Sequence, residues 1–348
     1  MPTPLYSTGF EIGSLAAYSQ TPQGWTLPSG GNGTAINTVA ANQHRTALGV
    51  GGNNCVLVDD AFGTLTGAVL GGVAGARWFH VWGKPNVPTG SSLWVGVGEA
   101  GAAQFGIYYL ANGNIQFYRG VTLVRTTVGG WNSAVAHWFA IEFDCREAGQ
   151  VAVWIDGVLV DTFVGDCRAT TTDGWDMFGF ATWISGTGFS NNNFFIDDVV
   201  ITDSVTGRLA EYVCPPLIPN GDTATAALTP STPGPQFAMV DEVPSNDADY
   251  DAATAAGQES RFTFTNLPAG ITAVGWAVFW GRATRDGAIV QGQVSVNSGG
   301  TVVYSAAETL PAAPSFFDSY VIRGTDPNTG LDWTVAGINA VEAGYRFL

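Results

Sequence analysis

The sequence predicts an all-β protein: a β-sandwich, a proline-rich connector, and a smaller β-sandwich that closes with a short helix. Three observations predict it. Short alternating apolar runs recur between turn residues at the spacing of a sandwich. Charged residues are only 12% of the chain, whereas glycine (46 residues) and aromatics (12%) are abundant. That profile suits tight turns and aromatic sheet faces and offers little for long helices. Prolines then gather between two strand-rich regions, at Pro215, Pro216, Pro219, Pro230, Pro233 and Pro235. A chain of 348 residues is long enough to hold two cores.

The first region covers residues 1–204, with strands expected at 93–97, 104–110, 115–119, 136–144, 151–155, 158–163, 175–183 and 194–202. Within VAVWIDGVLVDTF (151–163), Asp156-Gly157 is the dipeptide of a type I′ turn, in which both central residues take φ > 0. Asn112-Gly113 is a second hairpin signal, flanked by Phe105, Ile107 and Tyr109 on one arm and Ile115 and Phe117 on the other. These apolar residues all sit at odd positions, as a half-buried strand requires. The run NFFIDDVVITD (193–203) is a compact strand interrupted by two carboxylates.

Residues 205–259 read as an extended connector, because proline removes backbone donors and the intervening Thr, Ala, Gly and Asp bury little. Its apolar content is too small to offset the entropy of ordering, so it is expected to order only against neighbouring subunits. The acidic stretch VDEVPSNDADYDAAT (240–254) within it reads as a solvated loop laid over another surface. Residues 260–348 return to strand patterns at 261–267, 274–282, 288–296, 301–306 and 316–323, with Asp286-Gly287 as a third hairpin signal. Thr334 is placed to N-cap a short helix with Ile338 and Val341 on one face, and Gly344 fits its stop.

A formal charge of −16 with Lys84 as the sole lysine leaves no basic patch for phosphates, which argues against nucleic acid and anionic membrane as partners. No apolar run approaches the length of a membrane span. The start MPTPLYSTGFE lacks the basic and apolar regions of a secretory leader, so release by lysis is the expected route out of a cell. Cys55, Cys145, Cys167 and Cys214 form no zinc spacing. A Cys145–Cys167 bridge is geometrically conceivable at one end of three meandering strands, with buried free thiols as the default.

One constellation invites catalysis. Glu142, Asp144 and Glu147 in IEFDCRE reproduce the ExDxxE spacing of laminarinase-like glycoside hydrolases, which need two carboxylates about 5–5.5 Å apart. Glu142 and Asp144 would share a sheet face. However, CREAGQ reads as a turn, which puts Glu147 out of line and leaves ordinary exposed carboxylates. Asp197 and Asp198, with Asp59 and Asp60, could offer oxygens to calcium, but adjacent residues of a strand point to opposite faces. The competing expectation is one solvent-facing Asp and one that bonds loop backbone at the sheet edge. His44, His80 and His137 lack a neighbouring nucleophile, and His137 reads as structural. No catalytic, metal or cofactor residue is assigned. Trp78, Trp94, Trp131, Trp138, Trp154, Trp175 and Trp183 are expected to be mostly core, with one or two left exposed to stack on sugar.

The strand TGFEIGS (8–14), the hairpin VAVWIDGVLV and the strand FFIDDVVITD together resemble the concanavalin-A-like, laminin-G-like domains of virion proteins in tailed bacteriophages. TGRLAEYVCPPLIPNGD (206–222), VDEVPSNDADY (240–250) and TDPNTGLDWTVAGINAVEAGYRF (325–347) extend that resemblance over nearly the whole chain. It implies a concanavalin-A-like jelly roll and a non-enzymatic role on the exterior of the virion, as head decoration or cement, or as a tail or fibre protein. It also implies assembly in the host cytoplasm, other capsid or tail proteins as partners, and a homo-oligomer, with a trimer favoured. Two alternatives come from other classes: an adhesin that binds host glycan through the lectin-like sandwich, and a glycan depolymerase using Glu142 and Asp144.

Overall fold

In the computed structural model of the chain, strands form wherever backbone pairing coincides with alternating burial. The structure describes residues 6–8, 35–37, 55–59, 65–73, 75–85, 92–99, 102–180, 193–204, 207–210, 212, 214–241, 247–285 and 287–348. They fall into two compact units that part between Cys214 and Pro215.

The first unit holds β1 (Tyr6–Thr8), β2 (Ala35–Asn37), β3 (Cys55–Asp59), β4 (Leu65–Val73), β5 (Arg77–Pro85), β6 (Leu93–Glu99) and β7 (Ala102–Tyr109). It continues with β8 (Ile115–Arg119), β9 (Thr122–Thr127), β10 (His137–Phe143), β11 (Gly149–Ile155), β12 (Val158–Gly165), β13 (Trp175–Phe180) and β14 (Asn193–Asp203). One sheet runs β12-β11-β10-β5-β14-β3-β2 with β1 also on β14, and the other runs β4-β13-β6-β7-β8-β9. Every pairing among the described residues of this unit is antiparallel, and the result is a jelly-roll β-sandwich. Phe79 meets Phe178 and Phe180 across the two sheets at 5.4 and 5.6 Å between ring centres, and Tyr109 meets Phe139 at 4.7 Å. Aromatic rings of this size fill the space between the two sheets.

The Asp156-Gly157 turn has φ of 51° and 81°, the two positive values a type I′ turn demands. Asp156 also works outside its own hairpin. Its carboxylate accepts the Trp138 N–H at 2.9 Å and lies 2.7 Å from Nδ1 of His137, joining the turn to the start of β10.

The second unit contains β15 (Pro219–Ala226), β16 (Thr229–Pro230), β17 (Asp251–Ala252), β18 (Glu259–Phe264), β19 (Ala277–Ala283) and β20 (Gln291–Ser298). Then come β21 (Thr301–Tyr304), β22 (Glu308–Thr309), β23 (Phe317–Arg323), the helix α1 (Val335–Asn339) and β24 (Glu342–Phe347). The main sheet is ordered β15-β18-β24-β20-β21, with β22 on β20, and β19 pairs β23 separately. Phe279, Val294, Val296, Trp333, Ile338 and Tyr345 are among the residues of its core.

Several expectations need correction here. The first unit does not end at residue 204 but continues to Cys214. The segment expected as a free connector is built into the second unit. Its PNGDTATA run forms β15, which pairs β18 and half-buries alternate residues. Around it Asp222 accepts the N–H groups of Gln236 and Phe237 at 3.0 and 2.7 Å, and buried Ser260 donates to Gln236 at 2.7 Å. Composition missed this because the strand is held by backbone pairing and polar side chains rather than by apolar burial.

Asp286-Gly287 does not join paired neighbours, since β19 pairs β23 while β20 pairs β24 and β21. Asp286 itself lies outside the described residues. The hairpin in this region turns instead at Gly299-Gly300, with φ of 54° and 91°. Thr334 does cap α1, accepting the Gly337 N–H at 2.9 Å. Gly344 does not stop it. The residue lies inside β24, where a Cβ would come within 1.8 Å of the Ser260 carbonyl oxygen. Among the described residues no helix is long and apolar enough to cross a membrane.

Candidate functional site

The face of the first sheet that turns away from the core carries the chemistry the sequence singles out. Core-facing Phe79, Val81, Phe139 and Ile141 are fully buried, so strand alternation sends their neighbours outward. The register arranges those neighbours in three rows. Trp138, Trp82 and Asp197 lie opposite one another; so do Trp154, Ala140, His80 and Val200; so do Ala152, Glu142, Trp78 and Thr202. Indoles, an imidazole and carboxylates on one sheet face are the groups with which a protein stacks on and hydrogen-bonds a sugar.

That face is closed by the chain itself. Residues 207–210, 212 and 214 form a strap over it, with contacts at 207, 208, 209, 212 and 214. The Thr202 hydroxyl donates to the Gly207 carbonyl at 2.9 Å, and the Arg208 guanidinium sits 5.9 Å over the Trp154 ring. The Leu209 N–H donates to Nε2 of His80 at 3.0 Å. The Tyr212 ring packs edge-on against Trp138 at 4.6 Å, and its hydroxyl donates to the Asp198 carbonyl at 2.9 Å. Finally the Cys214 N–H donates to Oδ1 of Asp198 at 3.0 Å. Beneath the strap Trp82 and Trp138 are 3% and 2% exposed and His80 is fully buried, so no sugar ring can reach them.

The anchor of the strap is an irregularity in β14. One extra residue lies between Asp197, which pairs Trp82, and Val200, which pairs His80. Such a bulge re-aims a side chain and sharpens the local twist. Asp198 accordingly takes φ 48°, a left-handed conformation that Asp tolerates better than most residues. Its N–H donates to Oδ1 of Asp197 at 2.8 Å, and both aspartates are fully buried. Neither therefore faces solvent, and β14 is an interior strand between β5 and β3 rather than a sheet edge. The Asp59 side chain and Asp60 lie outside the described residues. Among those described, no group of three His, Cys, Asp or Glu side chains is placed to hold a metal ion.

His80 shows how the closure sets charge. Nδ1 lies 3.2 Å from the Val200 carbonyl and Nε2 accepts from the strap, which fixes a neutral ring with its proton on Nδ1. Burial pushes its pKa down to about 3. His137 is bound between Asp156 and the Asn132 carbonyl, the latter at 2.8 Å, in a structural role. His44 lies outside the described residues.

The ExDxxE carboxylates each have a partner of their own. Glu142 is half-buried on the outward face and accepts from Gln150 at 2.7 Å, and burial pushes its carboxyl above the usual range. Asp144 is buried beyond the end of β10, and Nε of Arg146 donates to it at 2.6 Å. Glu147 is in the turn, 3.2 Å from the Arg168 guanidinium and facing solvent. The first two are thus not the exposed carboxylates expected. Each of the three carboxylates is engaged by a different partner.

Of the seven tryptophans, Trp78, Trp94, Trp131, Trp138 and Trp175 are buried, Trp154 is half-buried beneath Arg208, and Trp183 lies outside the described residues. Cys145 and Cys167 are buried free thiols. Burial pushes Cys145 well above the ordinary range and Cys167 up to about 12. Cys214 is half-buried, and the Cys55 side chain lies outside the described residues.

A polar cleft of about 460 Å³ opens at one end of the sandwich, between the β8–β9 turn and the segment 166–171. Fully buried Gln104 shapes it, accepting the Ala169 and Thr170 N–H groups at 2.8 and 3.1 Å and donating to the Thr172 carbonyl at 2.9 Å. Its charges are mutually satisfied: Arg168 contacts Asp166, Asp173 and Glu147, and Arg119 contacts Asp166 at 3.4 Å. Sequence reading missed both Gln104 and the strap. The strap's one signal was an aromatic, Tyr212, in a stretch otherwise read as linker.

No family model matches the chain, and no curated protein matches it. Among solved structures, a sialidase is similar over 58% of this chain at 9% identity and a TM-score of 0.39; the chain spans only 19% of that protein's length. The cellulose-induced protein Cip1 is similar over 60% of this chain and 100% of its own, at 13% identity and a TM-score of 0.39. A Bacillus licheniformis beta-glucanase is similar over 57% of this chain and 97% of its own, at 17% identity and a TM-score of 0.35.

Proposed function

We propose that this protein is a non-enzymatic structural component on the exterior of a tailed-phage virion, either a head decoration or a tail or fibre subunit. One observation carries the non-enzymatic part: the strap of residues 207–210, 212 and 214 covers His80, Trp82 and Trp138 on the outward sheet face on which a lectin-like sandwich would hold sugar. Glycan binding or cleavage there would first have to displace it. The virion setting rests on the ordered motifs at 8–14, 151–160, 194–203, 206–222, 240–250 and 325–347.

Self-assembly, with a trimer favoured, is supported by the edges of the sandwich. β9 and β12 are the last strands of their two sheets, and Arg125 joins them through Asp161 at 2.6 Å. Along them Val121, Leu123, Val128, Val158, Leu159 and Val164 are exposed, Val164 by 72% and Val158 by 67%. Neither edge carries a lysine. Apolar side chains exposed along edge strands mark association surfaces.

Antibody labelling of intact particles under the electron microscope is expected to find regular copies on the outer surface. Particles without the protein would overturn the proposal. Val158→Glu with Val164→Glu should dissociate the oligomer in analytical ultracentrifugation. Polysaccharide hydrolysis by the wild type that is lost in Glu142→Gln and Asp144→Asn would overturn the non-enzymatic reading.

A further inference from the structure

The second unit has an aromatic face that its described residues leave half open. Phe279 and Ala283 of β19 point into the core, and Gly281 faces the Tyr345 ring, so Val278, Trp280 and Arg282 take the opposite side. The register sets Trp280 across from Tyr320 and Val278 across from Ile322 of β23. The Trp280 and Tyr320 ring centres are 5.1 Å apart at an interplanar angle of 34°, and both residues are half-buried. Two positions along the strand, roughly 7 Å away, Arg282 makes a fork to Asp247 at 2.8 and 2.9 Å and lies 4.8 Å over the Phe316 ring.

We propose that Trp280 and Tyr320 form a platform for a neutral pyranose of a surface polysaccharide, with Asp247 and Arg282 bonding the hydroxyls at its rim. A pyranose presents an apolar C–H face ringed by equatorial hydroxyls. The paired rings supply the apolar floor, rigid because the strands beneath are packed on the core. The carboxylate is 42% exposed, which leaves it lone pairs for hydroxyl donors, and the guanidinium is 22% exposed. The ligand is neutral because the fork is already internally paired: an acidic sugar would have to displace Asp247, and a basic one would meet Arg282. A protein partner would use the rings but not this balanced polar rim.

The test uses the full chain with neutral linear hexasaccharides of glucose, mannose and galactose, and an oligoglucuronate for contrast, read by saturation-transfer NMR and titration calorimetry. Binding of at least one neutral hexasaccharide is expected, weakened about tenfold by Trp280→Ala or Tyr320→Ala, less by Trp280→Phe, and unchanged by Trp154→Ala. Thermal melts of each variant report folding. Should Trp280→Ala fail to fold, Trp280→Phe and Asp247→Asn carry the comparison. No transfer to any neutral hexasaccharide, transfer unaffected by these substitutions, or tighter binding of the oligoglucuronate would overturn the proposal. So would loss of self-association in Trp280→Ala without any sugar binding, which would make the platform a protein interface. Because the sandwich face is not involved, this outcome is separate from the fate of the virion assignment.

Discussion

Each unit turns aromatic side chains away from its core, and the two treat them in opposite ways. On the sandwich, His80, Trp82 and Trp138 are buried beneath residues 207–210, 212 and 214. On the second unit, Trp280 and Tyr320 stay half-exposed beside a satisfied ion pair. The residue types differ little between the faces. What separates a buried scaffold from a candidate binding surface is the chain laid over it, and in the sandwich that chain ends against a bulged aspartate.

The largest expected difference between the units is in their response to acid. His80 has a folded pKa of about 3, below its ordinary value of 6.5. Its contribution is therefore present above pH 6.5 and is lost as pH falls toward 3, on the order of a few kcal/mol. Asp251 in the second unit is pushed up to about 7, first by burial and then by the nearby Asp222 charge. Its contribution is present below about 3.8 and is lost as pH rises through about 7. Acidification from pH 7 to 4 should weaken the sandwich while relieving the second unit. Hydrogen-exchange mass spectrometry on peptides from each unit reads this directly, and protection falling equally in both would break the contrast. A His80→Gln variant should flatten the acid response of the sandwich alone.

Next in size is the anchor of the strap. Asp198→Ala loses the bond to Cys214 and places alanine at φ 48°, a combined cost of about 3 kcal/mol. Urea unfolding should show that loss in the sandwich transition only, and acrylamide should quench tryptophan more strongly as Trp82 and Trp138 open. Unchanged quenching would mean that the strap is held elsewhere.

The smallest effects form a matched pair. Tyr212→Phe removes the hydroxyl that donates to the Asp198 carbonyl, at about 1 kcal/mol, and should soften only the sandwich. Thr334→Ala removes the α1 cap, also at about 1 kcal/mol, and should soften only the second unit. Transitions that move together would show that the units unfold as one.

Features set by a few adjacent residues were legible in the sequence. The Asp156-Gly157 turn follows from backbone sterics within two residues, and the Thr334 cap from a hydroxyl three residues before its donor. Strand alternation likewise placed Phe105, Ile107 and Tyr109 on the buried side. By contrast, PNGDTATA reads as linker until β18 supplies its backbone partners, and Gly344 reads as a helix stop until the Ser260 carbonyl is brought against it. The candidate chemistry was the least legible part. ExDxxE spacing was visible, but Arg146, Gln150 and Arg168, which pair off its three carboxylates, take effect only through the hairpin and the loop it meets.

By itself the sequence determined an all-β chain with an aromatic sandwich, its turns and its lysine-poor, acidic character, because these depend on composition, period and local dihedral preference. The tertiary structure alone decided that Asp198 bulges, that Leu209, Tyr212 and Cys214 return over the sheet, and that Trp280 and Tyr320 meet across two strands 40 positions apart. Each is a contact between residues distant in the chain, so its energy appears only once folding has paid the entropy of bringing them together.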